Sequence, residues 1–160
     1  VESEPGRGTT FKIFLPRDSE FASAPRQPDL QGYQARGDET VMLVEDDPAV
    51  REVIAHSLAE FGYMTFEASN GKEALEMLEQ QTGLTVSVLL TDLFMPVMGG
   101  KDLAQEFSKI LPETKVLYTS GYMEDTRIER GALTQGAGFI QKPFTPTELA
   151  NKLRKILDED

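Results

Sequence analysis

From Thr40 onward, short runs of valine, isoleucine and leucine alternate with segments of helical period, and this alternation restricts the fold more than any other feature. Val41–Val44 is an apolar run. Val50, Val53, Ile54, Leu58 and Phe61 then recur at the spacing of one helix face. Tyr63–Ala68 reads as a strand. Asn70 precedes a helix, with Glu73 three residues on, as in a capping box. Val86–Leu90 is a buried-type strand, and Leu103, Ala104, Phe107, Ile110 and Leu111 mark the next helix. Lys115–Thr119 is a strand, Met123–Leu133 a less strongly patterned helix, and Phe139–Gln141 a short strand. The run T-P-T-E at 145–148 caps a last helix carrying Leu149, Leu153, Ile156 and Leu157 on one face, with Pro146 at its first position. Five strand–helix pairs of this kind predict an α/β fold: a doubly wound parallel sheet of five strands with five helices on both faces.

In such a fold ligands sit beyond the carboxyl ends of the strands. Those ends carry Glu45-Asp46-Asp47, Thr91-Asp92, Ser120-Gly121 and Lys142-Pro143. Asp47 precedes Pro48 and a helix, so capping explains it. Glu45 and Asp46 have no such duty, and they lie beside Asp92 if the first and third strands are neighbours. Carboxylates gathered in this way repel one another unless a cation sits among them. Oxygen donors without histidine or cysteine select Mg²⁺ or a similar hard ion. A carboxylate beside such an ion and a lysine is suited to accept a phosphoryl group as an aspartyl phosphate. Lys142 would supply charge, and Ser120 a hydroxyl for a phosphoryl oxygen.

The stretches E-D-D-P-A-V-R (45–51), T-D-L-F-M-P-V-M-G-G (91–100), T-S-G-Y (119–122) and G-A-G-F-I-Q-K-P-F (136–144), in this order, resemble the receiver domain of two-component response regulators. The resemblance covers about residues 39–159 and implies the flavodoxin-like strand order 2-1-3-4-5. It implies Asp92 as phosphoacceptor, Asp46 as a direct Mg²⁺ ligand, Glu45 as a ligand through water, and the backbone carbonyl of Phe94 as a further ligand. Ser120 would meet the phosphoryl group and Lys142 would pair with it. Phe139 matches the aromatic that switches together with Ser120; a phenylalanine there would act by packing alone. The Lys142-Pro143 peptide is expected to be cis.

Other signals take ordinary readings. His56 lies off the apolar stripe of its helix and reads as a solvated residue. Gly99-Gly100 is a turn before a helix, not a phosphate loop. Met95, Met98 and Met123 read as packing around the site. A hydrolase of the haloacid dehalogenase type needs a second acid two residues after its nucleophile, where this chain has Phe94. A pseudo-receiver, a pure interaction module, would lack an acceptor or an acid, and none is missing. The formal net charge of −11 argues against a nucleic-acid surface, and the absence of cysteine excludes disulfides and thiolate metal sites. No apolar run approaches the roughly 20 residues that span a bilayer, and no signal peptide is visible, so a cytoplasmic location without membrane contact is expected.

The front of the chain differs. S-E-P-G-R-G-T-T-F-K-I-F-L-P at 3–16 resembles the last glycine turn and final strand of a histidine-kinase ATP-binding domain. Residues 1–17 are therefore expected to be its remnant, 18–38 a polar linker, and 39–160 the receiver. That order is the order of a hybrid histidine kinase. The alternative is a stand-alone response regulator. With no output domain after Asp160, the output is expected upstream or in trans. The expected partners are the parent's own phosphohistidine domain and then a histidine phosphotransfer protein or a separate regulator. Without the nucleotide-binding motifs, these residues alone are not expected to use ATP. Residues 9–15, removed from their sheet, are expected to be disordered or to pair with an exposed edge or a neighbouring chain.

Overall fold

The computed structural model describes residues 1–14, 36–81, 83–121 and 137–158. The chain divides into two compact units, Val1–Gly32 and Tyr33–Asp160. In the first, β1 (Glu2–Glu4) pairs antiparallel with β2 (Gly8–Thr10). The strand expected over 9–15 is thus shorter, and it finds its partner within the chain. A Pro5-Gly6 turn makes this possible, closed by the Arg7 N–H donating to the Glu4 carbonyl at 3.0 Å. The hairpin is exposed throughout, and Phe11, Ile13 and Phe14 beyond it are 71%, 82% and 88% exposed.

The second unit runs β3 (Thr40–Val44), α1 (Pro48–Glu60), β4 (Met64–Ala68), α2 (Gly71–Gln80), β5 (Val88–Asp92), α3 (Gly100–Ile110), β6 (Lys115–Ser120), β7 (Gly138–Gln141) and α4 (Pro146–Asp158). Four helices stand among the described residues where five are expected; the helix read over Met123–Leu133 lies outside them. All five strands are parallel, in the order β4-β3-β5-β6-β7, the 2-1-3-4-5 arrangement. Side chains alternate across each strand, so an all-apolar run serves two cores at once. Met42, Val44 and Leu89 face α2 and α3, against Ala74, Leu78, Leu103 and Phe107. Val41, Leu43, Val88, Leu90 and Leu117 face α1 and α4, against Ile54, Leu58, Leu149 and Leu153. None of the described helices is long and apolar enough to cross a membrane.

The helix starts follow from their caps. Asp47 Oδ1 accepts the N–H groups of Ala49 (2.8 Å) and Val50 (3.2 Å), with Pro48 as the first helical residue of α1. At α4, Thr145 and Glu148 cap reciprocally: the Thr145 N–H donates to Glu148 Oε2 (2.7 Å) and the Glu148 N–H to Thr145 Oγ1 (3.2 Å). At α2, Asn70 accepts the Glu73 N–H, but the Glu73 carboxylate reaches the Ser69 N–H instead of the cap's own. The other strands of the sheet begin or end within one residue of the sequence reading, and one strand is displaced by two. β5 spans Val88–Asp92, not Val86–Leu90, because the Val86 carbonyl is taken by the Thr114 hydroxyl (2.7 Å) while the parallel ladder begins at Val88. Two apolar positions differ as well: Val53 and Ile110, read on the buried faces of their helices, are 66% and 50% exposed.

The residues leading into β3 are fastened to the amino-terminal end of the sheet. Arg154 of α4 donates to Glu39 Oε1 at 2.6 Å and to the Arg36 carbonyl at 3.4 Å. The Gly37 N–H donates to the Phe61 carbonyl at 3.1 Å, and a Cβ at Gly37 would collide with the Glu39 carboxylate and the Tyr63 ring. Burial pushes the Glu39 carboxyl up, but the hydrogen bond and charge of Arg154 outweigh it and hold the group below its ordinary value. Arg154→Met is expected to cost about 2 kcal/mol at neutral pH, the worth of a charge-assisted hydrogen bond. Because the folded-state carboxyl is depressed, that contribution is present above the ordinary carboxylate range and fades as pH falls through the folded value. Urea unfolding of parent and variant should therefore show a gap at neutral pH that narrows by about pH 3.

Candidate functional site

The sheet register assembles the site. Val44 lies opposite Thr91, Asp92 opposite Thr119, and Ser120 opposite Gln141. The carboxyl ends of β3, β5, β6 and β7 therefore form one row, and the residues at or just past them share one face. Carboxylate oxygens of Glu45, Asp46 and Asp92 lie within 4.8 Å of one another. Lys142 closes the cluster: its Nζ donates to Asp92 Oδ2 and to Glu45 Oε2, each at 2.6 Å. The lysine is placed by its own backbone, whose N–H donates to the Ser120 carbonyl at 2.8 Å ahead of a cis Lys142-Pro143 peptide.

The three acids differ in setting. Glu45 is buried, Asp92 half-buried and Asp46 exposed. Burial pushes the Glu45 carboxyl up, Lys142 pulls it back, and the charges of Asp92 and Asp46 add to the rise; the balance lies above the ordinary value. Burial alone would lower Lys142, but the hydrogen bonds and charges of Asp92 and Glu45 reverse this and raise it. The lysine is thus firmly charged, and Glu45 is the member under electrostatic stress. Asp92 is held on both oxygens, since Oδ1 accepts the Phe94 N–H at 3.0 Å.

The remaining candidates fall around this centre. Ser120 is fully buried at the end of β6. Phe139 lies on β7 opposite Tyr118 and is half-buried, packed on the core under α2 and α3. Phe94 joins through its N–H, while its side chain is exposed. Met95 and Met98 pack on the same core, and the Met98 carbonyl accepts the Gly71 N–H at 3.3 Å, tying the loop after β5 to α2. Gly100 lies so close to the Asp92 carbonyl that a Cβ would collide with it. His56 is an exposed helix residue 3.8 Å from Glu60, far from chemistry.

Two features lie outside the sequence reading. Lys142 bridges Glu45 as well as Asp92, which needed the fold to see. Arg51 donates through NH1 to the Glu45 carbonyl at 2.6 Å, with Nε 3.7 Å from Glu67. A local signal existed for Arg51: a cation in the first turn of a helix opposes the helix dipole.

Fold and site together define a receiver. Residues 41–154 match the response regulator receiver domain, and the chain belongs to that family: it carries a receiver domain of two-component signalling. Among individual relatives, it is 37% identical to the sensor kinase CckA of Brucella abortus, over 99% of this chain and 17% of that protein. It is 31% identical to the response regulator receiver protein CpdR of the same organism, over 73% of this chain and 95% of CpdR. The crystal structure of the receiver domain from hybrid histidine kinase CckA superposes with a TM-score of 0.62 at 32% identity, covering 74% of this chain and 98% of that one. A receiver domain from Clostridium thermocellum shares the fold, with a TM-score of 0.67 at 24% identity, over 75% of this chain and 94% of that one.

Replacing Lys142 with methionine should expose the stress on Glu45. Removing one partner of a mostly buried ionic cluster is expected to cost about 3 kcal/mol at pH 8. Without the lysine the folded-state Glu45 carboxyl rises further, so the folded protein takes up a proton in a range where the unfolded chain does not. Chemical unfolding of Lys142→Met should accordingly show stability recovering as pH is lowered toward about 5, by more than in the parent, where Glu45 is raised less.

Proposed function

We infer that this chain accepts a phosphoryl group on Asp92 from a phosphohistidine, and that it does so as the receiver of a hybrid histidine kinase. The observation that carries the reading is Lys142 Nζ, 2.6 Å from both Asp92 and Glu45, with Asp46 completing the acidic cluster. Carboxylate oxygens with no histidine or cysteine suit Mg²⁺, with Asp46 and Asp92 as direct ligands, Glu45 acting through water and the Phe94 carbonyl as a further donor. When bound, the ion would neutralise charge on the transferring group.

The chain's own residues do the rest. An Asp92 carboxylate oxygen attacks phosphorus; the P–N bond to the donor imidazole breaks, and its electron pair stays on that nitrogen. Lys142, already on Asp92, moves its hydrogen bond to a phosphoryl oxygen. Ser120 offers its hydroxyl to another, and Phe139 repacks beside it. The Phe94 N–H keeps the aspartate oriented.

The donor's approach has a candidate surface. Ala49, Val50, Val53, Ile54, Pro143 and Phe144, together with Lys142, line an apolar groove of about 420 Å³. Val53, 66% exposed, belongs to this apolar patch, and a helix presenting its phosphohistidine beside Asp92 would cover it. The hybrid context draws on the similarity to sensor kinase CckA, which extends over 99% of the chain, front segment included, against 73% for CpdR. Residues 1–17 then belong to the end of an ATP-binding domain, 18–38 to a linker and 39–160 to the receiver. A cytoplasmic setting and onward transfer to a histidine phosphotransfer protein or a separate regulator follow from the same reading.

Incubation with acetyl phosphate and Mg²⁺, followed by intact mass, should add one phosphoryl group to the parent and none to Asp92→Asn. Equal labelling of the two would remove Asp92 as the acceptor. Val53→Glu should slow transfer from a phosphohistidine protein about tenfold, as loss of about 1.4 kcal/mol of docking energy implies. Its labelling by acetyl phosphate should match the parent's. Equal slowing with both donors would refute the groove as the docking surface.

A further inference from the structure

The elbow between β3 and α1 carries Asp46, the most exposed of the three acids, and its two neighbours are both pinned. Glu45 donates its N–H to the Ala68 carbonyl of β4 at 3.1 Å, and its carbonyl accepts from Arg51 NH1 at 2.6 Å. On the other side, Asp47 is fixed by capping α1. Arg51 itself is 20% exposed, braced by Glu67 of β4 at 3.7 Å, and it opposes the dipole of the helix that bears it. A mostly buried guanidinium in an unfavourable helix position, aimed at one backbone carbonyl, has a positioning duty.

We propose that Arg51 is the positioning residue of the divalent-cation site: by holding the Glu45 carbonyl, it keeps Asp46 directed at Asp92 and Glu45. The inference rests on the Mg²⁺ reading given under Proposed function. It makes a distinctive claim about sign. As a mere nearby charge, Arg51 repels a cation, so its removal should tighten binding. As a positioning residue, its removal frees the elbow and lets Asp46 leave the cluster, so binding should weaken. Loss of a group that orients a metal ligand ordinarily costs about 10- to 100-fold in affinity.

The test is Mg²⁺ titration by calorimetry on the whole chain, with thermal melts to verify folding. Arg51→Met is expected to bind Mg²⁺ at least about tenfold more weakly than the parent. Arg51→Lys, which keeps the charge and a single donor, should fall between them and decides the matter if the methionine variant does not fold. Glu67→Gln, which leaves the bond to Glu45 intact, should stay close to the parent. In acetyl phosphate labelling, Arg51→Met should need more Mg²⁺ for half-maximal rate yet reach the parent's rate at saturation. Affinity unchanged or tightened in the Arg51 variants that fold would overturn the proposal. A parent that binds no Mg²⁺, or an Asp46→Asn variant that binds it equally well, would instead overturn the underlying metal reading.

Discussion

Lys142 is what allows Glu45, Asp46 and Asp92 to share one corner of the molecule. Carboxylates within 4.8 Å of one another repel, and one of these is buried. The ammonium group 2.6 Å from two of them offsets that repulsion. The lysine reaches this point because β7 pairs in register with β6, so that its N–H meets the Ser120 carbonyl. Ser120, in turn, is placed by the pairing of β6 with β5, the strand that ends in Asp92. The site is therefore a consequence of the parallel ladder, and a one-residue slip between any two strands would disperse it.

The parts of the fold that could be read from sequence are those governed by local chemistry. Asp47-Pro48, Asn70 with Glu73, and Thr145-Pro146 with Glu148 each satisfy orphan N–H groups at a helix start, and each starts a helix where expected. The strands could be read because runs such as V-M-L-V, short and bounded by polar turns, suit a strand buried on both faces. What escaped was set by partners distant in sequence. The start of β5 depends on the Thr114 hydroxyl claiming the Val86 carbonyl. Val53 obeys helical spacing, yet it is 66% exposed, so periodicity assigned it to the wrong side. The hairpin at the front needed Glu2–Glu4 to be recognised as a strand, although three polar residues give no apolar alternation. Val97, at φ +70° in the loop after β5, takes a backbone conformation that a β-branched residue disfavours, and its sequence carries no warning of it.

Charged groups at the two ends of the sheet are organised to different effect. At the amino-terminal end, Arg154 and Glu39 make an ion pair in which a lowered carboxyl and a raised guanidinium stabilise each other. At the carboxyl end, Lys142 is likewise raised, but Glu45 is raised too: burial and two neighbouring acids leave it unsatisfied by a single cation. The first arrangement is an anchor. The second is poised to take further positive charge.

The size of that demand can be counted. Three carboxylates and one lysine leave the cluster formally at −2, the charge that one divalent ion cancels. Under the proposed function, converting Asp92 to its acyl phosphate adds about one further negative charge at neutral pH, since a phosphoryl group carrying roughly −2 replaces a carboxylate of −1. On that reading Lys142 and Ser120 would meet it. A hydrolase of this chemistry would carry a second acid two residues past the nucleophile to activate water, and Phe94 holds that place with an exposed apolar side chain. Its N–H orients Asp92 without offering a base.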